Sequence, residues 1–435
     1  MGNGALATPA GRSWQNALDR LGALLRSETG RVRLALGVVA LHIADDNFLQ
    51  PAPGTSAGDH LASGLVPIGI LAAVAYLYPR ARAGARAATA MTFGVLGIAI
   101  GVPGAYYLAD GTASGDHYTG LLAILAGAVL VLGAPVTLWK ARRRGGSRRR
   151  RYLLRTATAA GGVVLGLVLV QLVVFPVSLA YIYTHTGRTP SEPAPGAPFE
   201  PATVTTSDSL ELAAWYVPSE NGAAVVVFPG ATRAAEARML AGHGYGVLLL
   251  ESRGQGGSEG DIVRWAGDRD LLAGAAFLAE QPGVEPGRIG AIGFSIGGEI
   301  LLETAAQSDA FAAIVSDGAG ERVGEQDAAG AERILAAPLQ TVLTAAVTVF
   351  SNHGPPPPII ERIGLIAPRP VFLISAEHGI GGENERQPAY FAAAGEPKQH
   401  WEIPGATHTG GIDAEPAEYE RRVVEFFDGA LLEGR

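Results

Sequence analysis

Two hydrophobic rhythms meet near residue 187. Before it, apolar residues run in long blocks at 33–50, 61–79, 87–109, 118–139 and 157–184. A helix needs about 20 mostly apolar residues to cross a bilayer, and the last four blocks meet that length. The first, "LALGVVALHIADDNFL", carries His42, Asp45 and Asp46 towards its end. Ionisable groups are costly at mid-bilayer. They therefore read either as a proton or ion relay or, more plainly, as a helix end meeting headgroups. No other block offers an acidic partner deep in its apolar stretch, which favours the plainer reading.

After residue 187, short β-rich runs alternate with helical stretches. "ATVTT" and "LELAAWYVP" flank "SDS" as a hairpin. "AAVVVFPG", a helix near 232–243, "GVLLLES" and a helix near 264–281 follow. Next come "RIGAIGF", a helix from Ile296, "FAAIVSD", "RPVFLIS", "KQHWEIP" and a closing helix at 415–432. Strands alternating with helices of this size predict a mostly parallel sheet covered by helices on both faces. Residues 320–366 break the rhythm with helical "AAPLQTVLTAAVTVF" and then "HGPPPP", a small excursion or lid after the sixth core strand. Between the two halves, "HTGRTPSEPAPGAPFEPA" reads as a stiff, Pro-rich connection. The expected plan is a membrane domain of about five transmembrane helices at 1–187, a linker at 188–202 and an α/β domain at 203–435.

Charge sharpens this division. Residues 1–187 hold 17 Lys and Arg against 7 Asp and Glu, a net of +10, whereas residues 188–435 carry a net of −18. The arginines sit in short clusters between apolar blocks with no DNA- or RNA-binding motif beside them, so membrane flanks explain them and nucleic acid is not an expected partner. Arg12, Arg20, Arg26, Arg31 and Arg33 precede the first block. Arg80, Arg82 and Arg86 lie between the second and third, and "KARRRGGSRRRR" lies between the fourth and fifth. The intervening loops carry Asp59, Asp110 and Asp116 but no Lys or Arg. Every basic loop thus falls on one face, which the positive-inside rule makes cytoplasmic. The N-terminus is expected inside and the α/β domain outside, on an integral protein of the cell membrane. The first apolar run starts too late for a cleaved signal peptide. Cysteine is absent, which excludes disulfides, a thiol nucleophile and a Cys-based zinc site.

Candidate chemistry centres on "RIGAIGFSIGGEI", residues 288–300. An apolar strand ends at Gly293, Phe294-Ser295-Ile296-Gly297 follows, and a helix opens. This is the G-x-S-x-G elbow, in which small residues permit a sharp turn that lifts the hydroxyl above a sheet. A bare pentapeptide means little in a chain with 59 glycines. Its place between a strand and a helix carries the weight.

With these motifs residues 203–432 resemble the α/β-hydrolase superfamily, in a style similar to its dienelactone-hydrolase-like and prolyl-oligopeptidase-like members. "VVVFPGAT" stands where relatives have a His-Gly loop after the third strand, with Pro229 in place of the His. The resemblance implies an oxyanion hole built from the N–H of Ile296 and that of Ala231 or Gly230. "ESRGQGGSEG" resembles the D-x-R-G-x-G-x-S stretch, with Glu251 for Asp. "GATHTGG" resembles the G-x-x-H stretch and implies His408 as general base. A base is needed because a serine hydroxyl is a poor nucleophile until its proton is removed. Among the other downstream histidines, His353 lies in the excursion, His400 alternates within a strand and His378 follows a strand. His243 ends a helix. The triad acid is expected beyond the seventh strand, at Glu383 first and Glu377 second; Asp317, after the sixth, is the third choice. Glu385 is expected to face water.

These features imply a membrane-anchored serine hydrolase that acts through an acyl-enzyme, without metal or organic cofactor, on a small-molecule or peptide acyl substrate. Ester, thioester, lactone and peptide bonds all remain open. The alternatives are an acyltransferase using the same residues, and a non-catalytic binding or sensor domain on a membrane protein.

Overall fold

The computed structural model describes residues 25–51, 55–58, 60–109, 115–141, 170–185, 198–263, 265–322 and 331–433, with a few isolated positions besides. Most of the arginine run at 140–151, the start of the fifth apolar block, much of the Pro-rich linker and residues 323–330 lie outside these. The chain divides into two compact units. One comprises Met1–Pro51, Ser56–Ile182 and Thr341–Asn352; the other comprises Ala52–Thr55, Tyr183–Gln340 and His353–Arg435.

The first unit is helical. Helices α1 (Glu28–Ala44), α2 (Leu61–Leu77), α3 (Ala83–Ile100), α4 (Val102–Ala109), α5 (His117–Lys140) and α6 (Phe175–His185) follow in order. Ser27 caps α1, its Oγ accepting from the Gly30 N–H at 2.9 Å. Among the described residues, Leu61–Arg80, Ala83–Ala109 and His117–Lys140 are long and apolar enough to cross a membrane. The first expected block differs: α1 has 17 residues and passes into a π-helical turn at Asp45–Leu49.

The second unit holds one eight-stranded sheet in the order β1-β2-β4-β3-β5-β6-β7-β8. The strands are β1 (Glu200–Thr205), β2 (Glu211–Val217), β3 (Ala224–Phe228), β4 (Gly246–Leu250), β5 (Ile289–Phe294), β6 (Ala313–Asp317), β7 (Val371–His378) and β8 (Lys398–Thr407). The hairpin β1–β2 and the pair β2–β4 are antiparallel and every other pair is parallel. Every residue of β3, β4, β5 and β6 is buried, as parallel strands covered on both faces require. One core lies on each side. Leu271, Leu301 and Tyr390 belong to the first, and Leu240, Tyr419 and Phe427 to the second.

Helices α7 (Ala234–Gly242), α8 (Asp268–Ala279), α9 (Ile296–Gln307), α10 (Ala331–Ser351), α11 (Glu383–Ala393), α12 (Gly411–Ala414) and α13 (Pro416–Phe427) follow among the described residues. The excursion is shared between the units. Helix α10 runs 21 residues, and positions 341–352 group with the helical unit, where Phe350 meets Tyr181 edge-on at 5.4 Å.

Candidate active site

Strand β5 delivers Ser295 at the carboxyl end of the sheet, where open α/β folds place their ligands. Ser295 takes φ +53°, ψ −123°. That region is sparsely populated by residues with a Cβ and persists only where surrounding structure enforces it. Here the Ser295 N–H donates to the Asp317 carbonyl at 2.8 Å, and the Ser295 carbonyl accepts from Gly298 and Glu299 at 2.9 and 3.2 Å. Gly297 explains the motif's last position. A Cβ there would meet the Pro229 ring and lie 2.7 Å from the Phe228 carbonyl oxygen.

That close approach brings the Pro229-Gly230-Ala231 turn against the elbow. Ile296 opens α9, and Gly230 opens a 3-10 turn, Gly230–Thr232. The leading N–H groups of such elements have no acceptor within the element and lie at its positive end. The close packing of Gly297 on Phe228 and Pro229 thus sets the start of the Gly230–Thr232 turn beside Ile296 at the start of α9.

Strand β8 ends one residue before His408. Its Nε2 lies 2.8 Å from Ser295 Oγ, and its Nδ1 lies 2.7 Å from Glu383 Oε2. Glu383 opens α11 and is fully buried. Its other oxygen, Oε1, accepts the Ala376 N–H at 2.7 Å, which ties the carboxylate to the end of β7. The carboxylate is thus held to one imidazole nitrogen while the other faces the hydroxyl, the arrangement of a proton-transfer triad.

The other candidate acids go elsewhere. The pairing of β7 with β8 shifts register between Ala376 and His378, and Glu377 is left exposed, accepting the Gly405 N–H at 2.7 Å. Asp317 is buried and accepts the Tyr419 hydroxyl at 2.8 Å. Burial pushes its carboxyl up to about 7, against the partial opposition of that hydrogen bond. Glu385 is exposed. Of the remaining histidines, His243 pairs with Glu420 at 2.7 Å, His400 meets Ser375 at 3.2 Å, and the His353 carbonyl accepts from Trp265 at 3.2 Å. Glu251 is buried, with Oε2 accepting the Gly257 N–H at 2.8 Å; it pins its own loop.

Arg233 carries no signal in the sequence beyond its place just after the oxyanion stretch. Its Nη2 donates to Thr409 Oγ1 at 2.7 Å and its Nη1 to the Thr409 carbonyl at 3.2 Å, beside His408. In the helical unit, Asp45 and Asp46 do not simply end a helix. Thr119 Oγ1 donates to Asp45 Oδ2 at 2.8 Å and lies 3.1 Å from His42 Nδ1. Tyr181 donates to Asp46 Oδ2 at 3.3 Å. These partners come from α5 and α6, remote in sequence from α1.

The family model of X-Pro dipeptidyl-peptidases (S15 family) matches residues 187–352. Uncharacterized proteins of Mycobacterium tuberculosis strains H37Rv and CDC 1551 are 32% identical over 218 residues, covering 47% of this chain and 70% of theirs. An esterase of Pyrococcus furiosus aligns at TM-score 0.45 and 23% identity, over 56% of this chain and 97% of its own. An α/β hydrolase from a Penicillium species aligns at TM-score 0.42 and 19% identity, over 54% and 99%. The chain belongs to the α/β-hydrolase superfamily, among its serine hydrolases, and shares a family with the mycobacterial proteins.

Proposed function

We propose that this protein is a membrane-anchored serine hydrolase that works through an acyl-enzyme on Ser295. The observation that carries the reading is the chain Glu383–His408–Ser295, linked at 2.7 and 2.8 Å. His408 Nε2 takes the Oγ proton as Oγ bonds to the acyl carbon. The N–H groups of Ile296 and of Ala231 or Gly230 hold the resulting oxyanion, and Glu383 stabilises the imidazolium. Collapse breaks the bond to the leaving group, which departs with the proton from His408. Water then attacks the acyl-enzyme, giving its proton to His408, and the acid leaves as Ser295 Oγ regains a proton. An ester, thioester or amide fits this sequence of steps. The match to X-Pro dipeptidyl-peptidases makes Xaa-Pro amides worth including in a substrate panel. A fluorophosphonate probe tests the core of the reading: labelling that disappears in Ser295→Ala is expected, and a wild-type chain that resists the probe would overturn it. An acyltransferase would use the same residues, and comparing water with alcohol or amine acceptors separates the two.

The anchoring part rests on the three apolar helices and on the distribution of basic loops. A reporter fused after residue 190 is expected to be active outside the membrane, and one near Arg144 inside. The opposite result would reverse the orientation.

One observation favours a second reading, in which the helical unit has a sensing or transport task and the other unit binds a ligand. His42 and Asp45 are both buried and joined through Thr119, an arrangement more elaborate than a helix end requires. Loss of probe labelling with retained ligand binding would support that alternative.

A further inference from the structure

Arg233 lies between the three loops that the proposed chemistry uses, and touches each. Its own N–H donates to the Gly230 carbonyl at 3.2 Å, closing the 3-10 turn that carries the oxyanion donors Gly230 and Ala231. Its guanidinium carbon lies 4.3 Å from the centroid of Phe294, the residue before the nucleophile. Its Nη2 and Nη1 hold the hydroxyl and the carbonyl of Thr409, the residue after the base, at 2.7 and 3.2 Å. The same Nη1 pairs with Glu236 Oε1 at 3.2 Å, and Glu236 is buried.

Thr409 is where this matters. Its φ is +52°, a conformation disfavoured for a β-branched residue and maintained only when neighbours over-determine it. Bonds to both its side chain and its carbonyl from one planar cation supply that constraint, and an ammonium lacks the fork to do so. Reaction geometry tolerates little error, since a displacement of about 1 Å can cost on the order of 10²-fold in rate.

Building on the serine-hydrolase reading, we propose that Arg233 is a positioning residue that sets the His408 imidazole and the oxyanion turn at a fixed separation around Ser295. It does not touch substrate. It joins parts of the site that are 176 residues apart in the chain, so that base and oxyanion donors move as one body.

The test uses the full-length chain in detergent or nanodiscs, with p-nitrophenyl butyrate turnover and the rate of fluorophosphonate labelling as readouts. Arg233→Lys and Arg233→Met are expected to lower kcat by about 10²-fold while KM changes less than about threefold. Removing the cation leaves Glu236 buried without its partner, so the double variant Arg233→Met, Glu236→Gln guards against simple misfolding. It should melt like the wild type and still lose kcat. Methylguanidinium should restore at least about tenfold of the turnover of Arg233→Ala, and should do nothing for the surface control Arg421→Ala. A folded double variant with kcat within about threefold of wild type would overturn the inference, as would failure of methylguanidinium to rescue. A wild-type chain that the probe does not label sinks the hydrolase reading and this inference together. A labelled wild type with indifferent Arg233 variants sinks the inference alone.

Discussion

A Cβ on Gly127 of α5 would collide with the Gly94 carbonyl oxygen of α3 and lie 2.8 Å from the Ile98 nitrogen; a Cβ on Gly297 of α9 would meet the Pro229 ring. The same residue type, absent a side chain for the same steric reason, does different work in the two units. In the helical unit it lets two helices approach backbone to backbone, as small residues do where helices pack closely. In the α/β unit it lets the Pro229-Gly230-Ala231 turn approach the corner at Ser295. Glycine content alone therefore says nothing about chemistry, and what matters is the element that each glycine admits. The buried charges differ in a parallel way. Asp45 and Asp46 draw partners from several helices, whereas Glu383 is committed to one backbone N–H and one imidazole.

Removing the reactive side chains while leaving the corner intact should have the largest effect. Ser295→Ala and His408→Ala should each lower turnover by about 10⁶-fold, and the double variant should be little worse, because the two act as a unit. Additive losses in kcat would refute that. By contrast, His42→Gln should leave turnover of a water-soluble ester within about twofold if hydrolysis belongs to the α/β unit alone.

Next in size is the acid. Glu383→Gln should cost about 10⁴-fold in kcat, since it loses the group that orients and stabilises the imidazolium. Glu377→Gln retains an oxygen for the Gly405 N–H and should stay near wild type. The reverse ranking in a kinetic assay would mean that the triad is assembled differently in solution.

The glycines come third. Gly297→Ala should destabilise the α/β unit by about 3 kcal/mol and remove activity, because backbone on both sides would have to move. Gly127→Ala should destabilise the helical unit by a comparable amount without touching activity. Gly133, on α5 with open space around it, should accept Ala with a gain of about 0.5–1 kcal/mol. Thermal melts and turnover on the three variants would separate the roles.

A pH-dependent effect on stability, with turnover near wild type, comes from Asp317, whose carboxyl is raised by burial from 3.8 to about 7. Between those values the folded chain holds a proton that the unfolded chain has lost. Stability from this group is therefore complete below about pH 4 and falls as pH rises towards 7, by at most about 4 kcal/mol. Asp317→Asn should flatten that decline in melts between pH 4 and 8, and should leave kcat near wild type. A collapse of kcat would return Asp317 to the list of candidate acids.

Much of this molecule was legible along the chain. The alternation of β-rich and helical runs anticipated the parallel sheet, because buried central strands such as "AVVVF" and "GVLLL" need apolar residues at every position. The elbow was legible for a local reason: a strand, a serine among small residues and a helix are contiguous, and their geometry follows from backbone sterics. The histidine loop was similarly local. The ranking of Glu383 ahead of Glu377 was an expectation of the resemblance and of the glycines before Glu383, but its cause was not visible along the chain. Glu377 and Glu383 are six positions apart, and only the register shift between β7 and β8 turns one to solvent while α11 buries the other against His408. Arg233 reaches Thr409, and Asp45 reaches Thr119, across 176 and 74 residues, distances over which no local pattern operates. Local sterics and hydrophobic periodicity are written into neighbouring residues, so the elements and the corner at Ser295 could be read along the chain. Which charged groups meet there depends on where separate strands end in space, a matter of long-range packing rather than of local pattern.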